Sequence, residues 1–126
     1  DVLNSVRSPF NVSSLGLKMA ELSLADVNFV NEQRDLNNVN RDKLRNNLLG
    51  LGLKIDQSFA NFLLLRFESE EQANKIDLFL KEKGFILRKV SSYGLPKCLR
   101  LSIGNKEICE KIYLTLEECL KDNDRV

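Results

Sequence analysis

The chain contains no histidine. That absence removes imidazole metal sites and any Ser-His or Cys-His nucleophile pair from these residues. Cysteine is scarce and unpaired in number: Cys98, Cys109 and Cys119 make three, with no CxxC spacing. A disulfide framework and a structural zinc site are therefore not expected, and reduced, mostly buried thiols in a cytoplasmic protein are. No apolar run approaches the roughly 20 residues that a membrane helix needs. Residues 1–10 lack the basic start and apolar stretch of a signal peptide. The first residue is not Met, as expected of a processed, tagged or excised piece. Charge is nearly balanced at +1, so nothing marks a nucleic-acid or anionic-membrane surface. Glycines 50, 52, 84, 94 and 104 are scattered and form no phosphate-binding loop.

What remains is the composition of an ordinary globular domain, with 126 residues, 43% hydrophobic and 29% charged. Residues 1–11 read as an irregular lead-in, because Pro9 turns Ser8 away from helical geometry. From Val12 the spacing is helical, with two apolar stripes: Leu15, Met19 and Leu22, then Leu17, Ala20 and Leu24. Such a helix expects cover on more than one side. Val27 to Leu49 predicts a long, largely exposed helix with one narrow apolar face (Val27, Val30, Leu36, Val39, Leu44, Leu48), ended by Gly50 and Gly52.

The period then changes. Leu53–Asp56 is a short strand candidate, and Asn61–Phe67 is an apolar run that predicts a strand covered on both faces. Ser69 and Gln72 have the capping-box spacing before a helix carrying Ala73, Ile76, Phe79 and Leu80, which Gly84 closes. Phe85–Val90 predicts a strand, Ser91–Lys97 a turn and Cys98–Ile103 an alternating strand. Asn105 caps the last helix, whose expected stripe is Ile108, Ile112, Leu116 and Leu120, before a charged tail over Lys121–Val126. The fold class is α+β: an antiparallel or mixed sheet of about four strands, helices on one side, preceded by two helices. The expected organisation is one domain, 1–126, with a lead-in at 1–11, helices at 12–50 and an α+β core at 51–121.

No complete catalytic constellation is visible. The carboxylates fall on expected helix faces and caps, where a solvated surface role is the plain reading. The cysteines read as structural, since no basic partner accompanies them. Two arginines stand apart. Arg100 interrupts a strand, with Cys98 and Ser102 beside it on one face. A guanidinium there can present a fork to a carboxylate; the plainer reading of the pattern is a strand arginine paired with a structural Asp or Glu. Arg88 stands near the end of the preceding strand. If the two strands form a hairpin, the pair suits a doubly anionic ligand; otherwise Arg88 is a solvated edge residue.

Several segments in order resemble the histidinol-phosphate aminotransferase family. Arg7-Ser8-Pro9-Phe10-Asn11-Val12-Ser13-Ser14 resembles its return from the large domain into the small one. Ser58-Phe59-Ala60-Asn61-Phe62-Leu63 resembles its S-x-A-N-F strand, and Gly84-Phe85-Ile86-Leu87-Arg88 its G-I-x-V-R strand. Tyr93-Gly94-Leu95-Pro96, followed by Leu99-Arg100-Leu101-Ser102-Ile103-Gly104, resembles its Y-G-L-P and L-R-I-T-I-G signature. The resemblance covers about Arg7 to Leu120.

The resemblance implies the C-terminal small domain of a fold-type-I aminotransferase dependent on pyridoxal phosphate. It implies that Arg100 binds the substrate α-carboxylate, that Arg88 helps to hold the phosphate end, and that Asn61 has at most a structural or supporting role. The cofactor lysine, the other cofactor-holding residues and the large domain would lie upstream, with a homodimer as the full-length form. The segment alone would then neither hold the cofactor nor catalyse, and no metal is implied. Rival readings are an aromatic amino acid aminotransferase or a threonine-phosphate decarboxylase of the same fold. A rival of another class is a stand-alone amino-acid-binding regulatory module.

Overall fold

Ser13 opens helix α1 (Ser14–Ala25), its Oγ accepting the Gly16 N–H at 3.1 Å. The computed structural model describes residues 12–123 together with Val2 and Val6. Residues 1, 3–5 and 7–11 of the lead-in, and residues 124–126 of the expected charged tail, lie outside the described ones; Val2 and Val6 are helical, not irregular as expected. The Asp26 carboxylate accepts the Phe29 N–H at 3.0 Å and so starts a second helix, α2 (Val27–Gly50). The chain divides into two compact units inside α2, between Gln33 and Arg34.

In the first unit α1 buries nothing. Leu15, Leu17, Met19, Leu22 and Leu24 are all exposed, at 59–81%. The expected cover over both apolar stripes is therefore not found among the described residues.

The second unit holds the core. Its part of α2 buries Arg41, Leu44 and Leu48, while Leu36 and Val39 of the expected narrow face are exposed. Leu44 and Leu48 are one turn apart and point together into the core. The helix ends at Gly50, and Gly52 turns the chain with a φ of +81° that only glycine adopts cheaply. The Leu53 N–H then returns to the Leu48 carbonyl at 3.3 Å.

Four strands follow: β1 (Lys54–Ile55), β2 (Phe62–Arg66), β3 (Arg88–Lys89) and β4 (Cys98–Ser102). They form one antiparallel sheet in the order β1-β2-β4-β3. Leu63 pairs with Leu101 and Leu65 with Leu99, and all four are buried. Phe62, Leu64 and Arg66, on the opposite face, are half-buried. This corrects the expectation of a strand covered on both faces: the apolar run alternates in burial, because its partners in the core lie on one side of the sheet. The expected strand Phe85–Val90 shrinks to two paired residues, since only Arg88 and Lys89 lie along β4.

Between β2 and β3 runs α3 (Glu70–Glu82), and after β4 runs α4 (Lys106–Asn123). Ser69 caps α3, its Oγ accepting the Gln72 N–H at 3.1 Å, while Gln72 Oε1 accepts the Glu68 N–H at 2.8 Å. Asn105 caps α4 by accepting the Ile108 N–H at 2.9 Å. The buried stripe of α4 is Cys109, Ile112, Leu116 and Cys119, with Leu120 half-buried and Ile108 exposed at 43%. It is thus displaced by one position from the expected start at Ile108. Each fully buried Leu or Ile is worth about 1.5–3 kcal/mol relative to an exposed one. The three cysteines are buried, and none is in a disulfide. Among the described residues no helix is long and apolar enough to cross a membrane.

Candidate functional site

The face of the sheet opposite the buried Leu99 and Leu101 carries the two arginines. Along β4 the buried Leu99 and Leu101 alternate with Cys98, Arg100 and Ser102. Arg100 sits opposite Leu64 of β2 on one side and opposite Arg88 of β3 on the other. Residues opposite one another in a ladder share a face, so the register brings both guanidinium groups to the same surface. The hairpin required by the sequence reading is thus formed.

Arg100 is half-buried, and its guanidinium lies over the Phe62 ring at 5.1 Å from the centroid. Cation–π attraction and the flat ring hold the guanidinium plane. Its Nε is buried and has no hydrogen-bond partner among the described residues. Arg88 is exposed; its Nη2 donates to the Tyr93 hydroxyl at 3.3 Å, and its guanidinium lies 5.9 Å from the centre of that ring. Tyr93 ends the 3-10 turn Ser91–Tyr93, which Gly94 closes with a φ of +75°. The turn brings Tyr93 back onto the arginine five residues before it.

Among the described residues no carboxylate pairs with Arg88 or Arg100. The contrast is Arg66, also a strand arginine. Its Nε and Nη2 donate to Asp56 Oδ2 at 2.9 and 2.6 Å. The hydrogen bond from Arg66 is the largest cause holding the Asp56 carboxyl below its ordinary range; burial opposes it, and the charges of Arg66 and Arg45 add to it. A strand arginine paired with an acid therefore occurs in this fold at Arg66 and not at Arg100.

The Ser58-to-Phe62 segment beside Phe62 is braced from α2. Ser58 Oγ donates to the Phe62 carbonyl at 2.6 Å and accepts the Ala60 N–H at 3.2 Å. The Ala60 carbonyl accepts from Asn37 Nδ2 and Arg41 Nη1, each at 3.4 Å. Asn61 acts through its backbone, its carbonyl accepting the Ile103 N–H at 2.8 Å. Phe59 stands 88% exposed at the edge of an open hollow that Phe62 and Leu64 also line.

Phe62 and Tyr93 are the site residues that sequence reasoning left in the background, one inside an apolar run and one inside a turn. Their type was visible; their nearness to the arginines depends on register and turn geometry. Among the described residues no group of three potential metal ligands occurs.

Over residues 1–113 the chain matches the aminotransferase class I and II family. It is 44% identical over 116 residues to a histidinol-phosphate aminotransferase of Jannaschia sp. (strain CCS1), covering 92% of this chain and 32% of the relative. It is 44% identical over 112 residues to that of Dinoroseobacter shibae, covering 89% and 31%. Among solved structures, the histidinol-phosphate aminotransferase from Sinorhizobium meliloti in complex with pyridoxal-5'-phosphate superposes with a TM-score of 0.85 at 20% identity, over 96% of this chain and 34% of that one. The histidinol-phosphate aminotransferase from Clostridium acetobutylicum gives 0.81 at 21%, over 95% and 37%. The chain spans 31–32% of the length of these curated relatives. The ordered motifs and this match over residues 1–113 agree: the chain belongs to the class I and II aminotransferase family.

Proposed function

We propose that this chain is the substrate-clamping, C-terminal part of a pyridoxal-phosphate-dependent aminotransferase that transfers an amino group between histidinol phosphate and 2-oxoglutarate in histidine biosynthesis. The observation that carries the reading is the Arg100 Nε, buried over Phe62 without a hydrogen-bond partner among the described residues and directly across from Arg88, a second arginine with no described carboxylate partner. A buried donor left unmade costs about 1–3 kcal/mol, and an anion's oxygen would supply the acceptor. Arg100 takes a carboxylate with two parallel hydrogen bonds, and the Phe62 ring keeps the fork from turning. Arg88, with the Tyr93 hydroxyl beside it, takes a phosphate. Holding a substrate at both anionic ends fixes which face of it meets the reacting group.

The residues of this chain do not fit the cofactor. Every lysine is exposed, whereas an amine that forms a Schiff base is activated by burial or a neighbouring cation. The proposal therefore assigns the cofactor and its lysine to polypeptide outside this chain, and no activity to the chain alone. It places the full-length enzyme in the cytoplasm as a homodimer. The buried cysteines, none of them in a disulfide, support the compartment. The exposed leucines of α1 are apolar surface that a large domain or partner subunit would cover.

The test is amino transfer by the full-length enzyme from histidinol phosphate to 2-oxoglutarate, beside phenylalanine, for wild type, Arg88→Ala and Arg100→Ala. Preference for histidinol phosphate that collapses in Arg88→Ala supports the substrate. Loss of about 2–5 kcal/mol of transition-state binding for both donors in Arg100→Ala supports the carboxylate role. Equal or better use of phenylalanine, untouched by Arg88→Ala, moves the assignment to an aromatic amino acid aminotransferase.

A further inference from the structure

The strand that carries Arg88 is weakly held. β3 pairs with β4 at two positions, Arg88 with Arg100 and Lys89 with Leu99. It is an edge strand, and its first pair sets two cations opposite one another, which pushes the strands apart. A slip of one residue would send Arg88 to the other face of the sheet. Something other than the ladder has to hold the register.

Buried Leu87 and Val90, on either side of the strand, hold part of it; a polar tie on the helix side holds Lys89. Adjacent residues of a strand face opposite ways, so Lys89 points away from the arginine surface. Its Nζ donates to Asn74 Oδ1 at 2.6 Å and lies 3.6 Å from Asp77 Oδ2, both on α3. Asp77 is 0% exposed and also accepts from Lys81 Nζ at 2.7 Å. Its Oδ1 has no hydrogen-bond partner among the described residues. A fully buried carboxylate is costly, and the Lys81 pair alone, one turn along the same helix, does not call for burial. Burial places the charge where it reaches Lys89.

We infer that Asp77 and Asn74 are positioning residues: by holding Lys89 beneath the sheet they set where the Arg88 guanidinium stands opposite Arg100 above it. The inference rests on the assignment of Arg88 to the substrate's second anionic group. It adds a second layer to that site, on a helix that does not reach the arginine face.

The experiment is steady-state kinetics of the full-length enzyme with histidinol phosphate and with phenylalanine. The variants are Lys89→Met, Asp77→Asn and Lys81→Met, each also combined with Arg88→Ala. Lys89→Met and Asp77→Asn are expected to raise KM for histidinol phosphate by about tenfold, the scale of coupling between neighbouring groups. Both leave kcat, and KM for phenylalanine, within about twofold. In the Arg88→Ala background neither adds to the KM already raised, and Lys81→Met changes nothing. Lys89 is partly exposed, so Lys89→Met keeps the test valid should Asp77→Asn fold poorly. The inference is overturned if Arg88→Ala raises KM while Lys89→Met does not, if the effect persists without Arg88, or if Lys81→Met reproduces it. If Arg88→Ala itself leaves KM unchanged, the functional reading fails first, and this inference with it.

Discussion

Arg88 and Arg100 are direct cross-strand partners in the β3–β4 ladder, two cations on one face with no described carboxylate between them. Like charges opposite one another in a sheet oppose pairing by up to about 1 kcal/mol. Arg88→Gln should therefore stabilise the protein by a few tenths to about 1 kcal/mol in urea unfolding at low salt. The gain should shrink at high salt, where the repulsion is screened. Inorganic phosphate should raise the unfolding midpoint of wild type more than that of the variant. A variant less stable than wild type at every salt concentration would show that the repulsion is already compensated.

The two faces of β2 are unequal. Leu63 is 0% exposed in the core, and its neighbour Leu64 is half-buried on the arginine face. Leu63→Ala should cost about 2–5 kcal/mol, the usual loss for a core leucine. Leu64→Ala should cost less than half as much. Equal costs in chemical denaturation would mean that both faces of the strand are packed.

Two glycines test backbone against space. An added Cβ meets nothing within 4 Å at either Gly84 or Gly50, yet Gly84 has a φ of +85° and Gly50 has no positive φ. At Gly84 the Phe85 N–H closes α3 by donating to the Leu80 carbonyl at 2.8 Å. Gly84→Ala should destabilise by about 1–2 kcal/mol through strain alone. Gly50→Ala, at the last position of a helix, should be neutral or stabilise by up to about 1 kcal/mol. Thermal unfolding of the two variants reads the difference.

The acid and alkaline limbs of stability have separate origins. The Asp56 carboxyl is lowered chiefly by its hydrogen bond from Arg66, and Glu68 chiefly by that from Lys54. A carboxyl with a lower pKa folded than unfolded stabilises above its unfolded value, and that contribution is lost as pH falls through the folded one. Asp56→Asn should therefore flatten the fall in stability on acidification and leave the slope near neutrality unchanged. Burial pushes the Cys109 thiol up. Its contribution is present below the unfolded thiol range and is lost as pH rises above it. At neutral pH this thiol should resist a disulfide reagent until the protein unfolds, which a labelling time course in rising urea measures.

Local chemistry made much of this fold readable in advance. Ser69, Gly84 and Asn105 mark helix ends by rules that involve a few neighbouring residues, and each does so in the structure. The strand candidates were readable from period, although Phe85–Val90 was too long because pairing, not propensity, sets where an edge strand ends. Arg100 was conspicuous for its type, as a charge within an apolar strand. The tether beneath Arg88 was not, because Asp77 reads as one more polar residue on a helix until the sheet is laid against it.

The sequence alone therefore determined the order of elements, the α+β class, the turn positions and the two arginines worth following. Each depends on residues near one another along the chain, whose preferences are short-ranged. Only the tertiary structure decided that Arg88 faces Arg100, that Phe62 lies under the fork, that Arg66 rather than Arg100 has an acid, and that Lys89 is tied to α3. These depend on antiparallel register and on how the helices sit against one face of the sheet. A shift of one residue would reverse every one of them, while leaving the local propensities as they are.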